Sequence, residues 1–112
     1  MEGIVTFNEW QKLDLRVGKI LSVEDHPNAD KLYVIEVDLG RLGKRKVVAG
    51  LKEHYKPKDL KNKLCIFFAN LEPATLRGIK SDGMILAASS EDHKEVKILQ
   101  PSKEIELGSK VS

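Results

Sequence analysis

From Leu13 onward the apolar residues recur at every second position in short runs, and that period suits strands rather than helices. Tyr33, Ile35, Val37 and Leu39 alternate with Val34, Glu36 and Asp38, which describes a strand with one buried face. Before it, Leu13, Leu15, Val17, Leu21 and Val23 share one parity, and Gly18-Lys19 suits a bulge, so a long bent strand is expected. "DHPNAD" ends that strand in a turn, and Gly40 to Gly43 forms the hairpin into a third strand, "KRKVVAG". "LKEHYKPKDL" reads as a helical turn and loop stopped at Pro57. "KLCIFFAN" is a strand covered on both sides, "MILAAS" a fifth strand and "EVKIL" a short sixth. Upstream, "TFNE" matches a capping box, which predicts a short helix from Phe7 to about Lys12.

Five strands, the first bent at a glycine and a connector between the third and fourth, describe an all-β Greek-key barrel of the OB type. A plain sandwich would want more strands in 112 residues. One domain is expected over residues 1–112, with the barrel core at about 13–90 and an extension at 91–112. Aromatics are only 5% of the chain, so the core must rest on Val, Ile and Leu. Abundant Lys and Glu hint at a heat-adapted source. Cys65 has no partner for an internal disulfide and reads as a small buried hydrophobe in a reducing compartment. Neither a signal peptide nor a span of about 18 apolar residues is visible, so a cytoplasmic protein is expected, with no membrane.

Charge is unevenly spread. Arg41 to Lys63 holds nine cations against Glu53 and Asp59, a local +7 in a chain of net +2. A near-neutral protein presents a field to a polyanion in this way, although a solvated lysine face gives the same pattern. Enzyme templates do not fit. His26, His54 and His93 are scattered, so no metal site or other cofactor is expected. "GRLGKRK" lacks the glycine spacing and the Ser/Thr of a phosphate loop, and Ser81 has no nucleophile elbow.

Two constellations remain. "HPNADKL" is first a turn, in which Pro27, Asn28 and Asp30 supply the geometry and Lys31 carries a charge the turn does not need. "ANLEPATLRGIKSDGM" is a long loop that would rim the binding face of an OB barrel. Its Asn70, Arg77, Lys80 and Ser81 offer donors to phosphates and 2′-hydroxyls, Gly78 and Gly83 would admit a close backbone approach, and Met84 offers a soft apolar contact.

With these motifs in "KLDLRVGKILSVEDHPNADKLYVIEVDLG", "VVAGLKEHY" and "FFANLEPATLRGIKSDGMILAAS", the sequence closely resembles the tRNA-binding domain appended to methionyl-tRNA synthetases. The same domain occurs in free-standing tRNA-binding proteins and in endothelial monocyte-activating polypeptide II. The resemblance runs from about Phe7 to the C-terminus and is nearest to a separately encoded β-subunit of archaeal type. It implies an OB barrel, a homodimer, and auxiliary, non-catalytic binding of tRNA by shape rather than by anticodon. A catalytic synthetase subunit is a further possible partner. The expected tRNA contacts are Asn28, Lys31, Arg45, Asn70, Arg77, Lys80, Ser81 and Met84. Ile4, Val5, Phe7, Trp10, Ile105 and Leu107 are the expected dimer interface, because they flank a finished barrel with apolar surface. An export-related chaperone of the CsaA kind shares fold and size, but the "HPNADKL" and "SDGM" patterns favour the tRNA-binding branch. A sequence-blind single-strand binder would want exposed aromatics for stacking, and few are available.

Overall fold

The computed structural model describes residues 2–112. Helix α1 spans Phe7–Gln11; Thr6 Oγ1 accepts from the Glu9 N–H, and the Glu9 carboxylate accepts from the Thr6 N–H, closing the capping box. Strands follow as β1 (Leu15–Asp25), β2 (Tyr33–Asp38), β3 (Lys44–Ala49), β4 (Leu64–Phe68), β5 (Ala74–Leu76), β6 (Ile79–Ser81), β7 (Met84–Ile85), β8 (Ala87–Ser89) and β9 (Val96–Ile98). A second helix, α2, covers Pro57–Leu60. No helix among the described residues is long and apolar enough to cross a membrane.

The main sheet is antiparallel with order β3-β2-β1-β4-β7. Three meandering strands with β4 returning beside β1 make a Greek key. The sheet then curls until its ends meet: Asp82 N–H donates to the Lys46 carbonyl at 2.9 Å, and Val48 N–H donates to Ser81 Oγ at 2.9 Å. This is the expected OB-like barrel. Inside lie Ile20, Tyr33, Ile35, Val37, Leu39, Val47, Cys65, Phe67 and Ile85, and Leu60 from α2 plugs one end.

Three local readings change. The irregularity in β1 falls between Ile20 and Ser22, not at Gly18-Lys19. Gly18 is instead a point of close packing, since a Cβ there would stand 2.6 Å from Val37 Cγ1 and 2.9 Å from Leu39 Cδ2. The buried parity therefore shifts within the strand, from Leu15 and Val17 to Gly18 and Ile20. Pro57 starts a helix rather than stopping one, because the N–H that proline lacks has no intrahelical partner in a first turn. "KLCIFFAN" is not uniformly covered: Cys65 and Phe67 are buried, while Leu64, Ile66 and Phe68 are half-buried.

"MILAAS" divides. At Leu86, whose N–H donates to the Ile66 carbonyl, the chain leaves the barrel, and β8 pairs with β9. The last residues return along the start of β1, on the edge of Leu15–Val17 that β2 does not reach. Gly108 N–H donates to the Val17 carbonyl (2.8 Å), Val17 N–H to the Ser109 carbonyl (2.9 Å) and Val111 N–H to the Leu15 carbonyl (2.8 Å). Much of the extension thus packs on its own barrel. Ile4, Val5, Phe7 and Ile105 stay exposed, with Ile4 at 92% and Phe7 at 69%. Trp10 is half-buried beside Phe7 and Val111, whereas Leu107 lines a separate cleft with Leu39 and Leu42.

Burial pushes the Cys65 thiol up to about 12. The thiol stays protonated at neutral pH and is shielded, so Ellman's reagent should leave it unmodified in the native protein and titrate it fully in guanidinium. Rapid native labelling would show the barrel opens far more readily than this core allows.

Candidate nucleic-acid interface

The segment from Pro73 to Gly83 is a hairpin, not an open loop. Strands β5 and β6 pair through Ala74–Ser81, Thr75–Lys80 and Leu76–Ile79, leaving Arg77-Gly78 as a two-residue turn. Both turn residues have positive φ, +52° and +90°. Such a primed turn fits the right-handed twist of a hairpin and strongly favours Asn-Gly or Asp-Gly. Gly78 meets that demand. Arg77 does not, and its long exposed side chain stands at the hairpin tip at a backbone cost an asparagine would reduce.

The tip is held by a residue that the sequence patterns do not single out. His26, the first residue of "HPNADKL", is 4% exposed. Its Nδ1 lies 3.0 Å from the Asn28 N–H, which can only donate; Nδ1 therefore accepts and Nε2 carries the proton. That Nε2–H donates to the Leu76 carbonyl at 3.0 Å, directly before Arg77. One neutral imidazole thus ties the β1–β2 turn to the β5–β6 hairpin and brings the two motifs side by side. The sequence signal is a histidine immediately before a Pro-Asn turn. Nothing local in the sequence names its partner, fifty residues away.

The eight expected contacts divide sharply. Asn28 and Arg77 flank the His26 link, and Lys80 is exposed in β6 opposite Thr75. Neither Arg77 nor Lys80 has a carboxylate within 4 Å among the described residues. Met84 is 43% exposed, on a groove between β3 and β7–β8. Lys31 is exposed but stands 3.6 Å from Glu53. The other three face structural tasks. Ser81 is buried, its hydroxyl taken by the Val48 N–H at the barrel seam, so it does not present an oxygen to a ligand. Asn70 commits both ends of its amide to the α1–β1 connection: Oδ1 accepts from the Asp14 N–H (2.8 Å) and Nδ2 donates to the Lys12 carbonyl (2.6 Å). Arg45 donates to the Ala69 carbonyl at 2.9 Å and lies 3.7 Å from Asp82. Gly83 likewise admits protein, not ligand. A Cβ there would overlap the Phe67 ring, 2.6 Å from Cε1, and stand 2.8 Å from the Phe68 carbonyl oxygen.

The basic stretch is partly answered within the chain. Lys44 lies opposite Asp38 and Lys46 opposite Glu36 in the β2–β3 register, and Lys52 pairs with Asp25 at 3.2 Å. Cross-strand pairing of opposite charges lowers the outward field of that face. The hairpin tip has no such balance.

A nearly closed Greek-key barrel, with a cationic hairpin on its rim that is unpaired among the described residues, defines a protein of the OB class. Residues 15–110 match the family described as "Putative tRNA binding domain", and the chain belongs to that family. A methionine–tRNA ligase of Pyrococcus horikoshii is 58% identical over 107 residues, which is 96% of this chain but 14% of the ligase. The chain therefore spans about a seventh of the length of such curated relatives. Among solved structures, a MetRS-related protein of Pyrococcus horikoshii superposes with a TM-score of 0.90 at 30% identity, covering 98% of this chain and 99% of that one. The chaperone CsaA of Bacillus anthracis superposes with a TM-score of 0.88 at 30% identity, covering 98% and 100%.

Proposed function

We propose that this chain is a non-catalytic tRNA-binding module that serves a methionyl-tRNA synthetase, as an associated subunit or an appended domain. It holds tRNA by shape and backbone while the ligase carries out the chemistry. The observation that carries the reading is Arg77: a long cation kept at a positive-φ position in a turn, locked by His26 against the second signature motif. A hairpin needing only to turn would favour asparagine there. Arg77 and Lys80 meet phosphates, and Met84 adds apolar contact. Family membership and 58% identity to a methionine–tRNA ligase support tRNA as the ligand.

The same reading makes the chain cytoplasmic. It also makes it a homodimer through the exposed Ile4, Val5 and Phe7, with Trp10, Ile105 and Leu107 nearer its margin. Two copies would set two hairpins against one RNA, and linkage of this kind raises avidity by roughly 10²–10⁴ when both engage. Likeness to CsaA keeps polypeptide binding as the rival, and the exposed apolar groove at Met84 is the feature that favours it.

Gel-shift titrations with several purified tRNAs, with and without an unfolded polypeptide competitor, test the proposal. Binding should be similar across anticodons and fall with salt, each phosphate contact adding about 0.7–0.9 to the log–log slope. No binding at low salt, selection of one anticodon, or full displacement by the polypeptide would overturn it.

A further inference from the structure

Two cations of the basic stretch that the β2–β3 register leaves unbalanced meet a third from β9 in one place. Lys58 of α2, Lys63 before β4 and Lys97 of β9 line a single cleft of about 480 Å³ with Tyr55 and Asp59. Lys58 and Lys63 are neighbours in the basic stretch, and the fold brings Lys97 from the distant β9 beside them. We propose that this cleft is a second contact surface for the phosphodiester backbone of the RNA held by the hairpin. The inference rests on the tRNA-binding reading above and extends it to a face that neither signature motif reaches.

The frame of the cleft is fixed by hydrogen bonds. Tyr55 OH accepts from the Ile98 N–H at 3.1 Å, the Tyr55 carbonyl accepts from Tyr33 OH at 2.6 Å, and Gln100 Nε2 donates to the Leu64 carbonyl at 2.9 Å. The lysines stand on this frame exposed, with no carboxylate within 4 Å of their ammonium groups among the described residues. Asp59, the acid in the cleft wall, is already engaged with the Lys56 N–H at 3.3 Å. Like charges gathered on one concave wall repel, and a polyanion relieves that repulsion while releasing its own counterions. Tyr55 and Asp59 also line the neighbouring cleft that holds Lys52, Glu53 and Lys56, and Glu53 reaches Lys31 of the "HPNADKL" turn. The two clefts thus share a wall through Tyr55 and Asp59, and the Lys31–Glu53 pair joins that wall to the turn beside the hairpin.

The test compares three full-length proteins against one tRNA transcript over a salt series: wild type, the triple variant Lys58→Ala/Lys63→Ala/Lys97→Ala, and a control triple variant at Lys12, Lys94 and Lys103, exposed lysines outside the cleft. The cleft variant should bind at least tenfold more weakly at low salt, with a slope shallower by about 2–3, at 0.7–0.9 per phosphate contact. The control should keep most of its slope. Ethylation interference should show phosphates that matter for wild type and cease to matter for the cleft variant. Wild-type binding with an unchanged cleft variant, or an equal loss in the control, would overturn this inference and leave the hairpin reading standing. Failure of wild type to bind at all would overturn the hairpin reading itself.

Discussion

Gly83→Ala should lower stability by roughly 2–6 kcal/mol, from ~1–3 of backbone strain and ~1–3 of overpacking. Gly83 has φ +124°, and its missing Cβ leaves the space that the Phe67 ring fills. Phe67 is fully buried, and Gly83 sits beside the seam where Ser81 and Asp82 meet β3. Alanine would have to push the ring or the backbone, and either movement loosens the closure of the barrel. Gly78→Ala is the matched comparison. It also has a positive φ, +90°, but nothing lies within 4 Å of its absent Cβ, so only about 1–2 kcal/mol of strain is expected. Urea midpoints of the two variants separate packing from strain. Equal losses would mean that contact with Phe67 contributes nothing to closure.

Arg77→Ala and Lys80→Ala should each weaken tRNA binding by roughly 1.5–3 kcal/mol, about 10- to 150-fold, while moving stability by less than ~0.5 kcal/mol. Both side chains are exposed and unpaired among the described residues, so the folded protein loses little without them. Arg77→Asn adds a sharper outcome: a slightly higher thermal midpoint with weaker binding, because asparagine suits the turn and arginine suits the ligand. Lys44→Ala and Lys46→Ala should act more weakly, since Asp38 and Glu36 lie across from them. Normal binding by the hairpin variants, with loss in the β3 variants, would move the site to the β2–β3 face.

The strand period in Tyr33–Leu39, the turn chemistry of Gly40–Gly43 and the "TFNE" capping box are local, and each is legible in the order of residues along the chain. The β5–β6 hairpin is not. Its strands are short and β5 is exposed throughout, so no alternation marks them, and the Arg-Gly turn is an uncommon variant of its type. Of the proposed site, Arg77, Lys80 and Met84 are legible in the sequence as exposed residues, and the structure places them on the surface.

Composition, period and motif are enough to specify an all-β barrel and its family, because these are properties of neighbours along the chain. Which polar groups remain free for a ligand is decided by tertiary structure alone. Ser81, Asn70 and Arg45 look like ligand donors in sequence, yet each satisfies a backbone group that the fold would otherwise leave without a partner. His26 acquires its meaning only from a residue distant in the chain, and Lys97 joins Lys58 and Lys63 only through the fold. A hydrogen-bond donor is taken by whichever acceptor the fold brings near it, and sequence spacing does not record that distance.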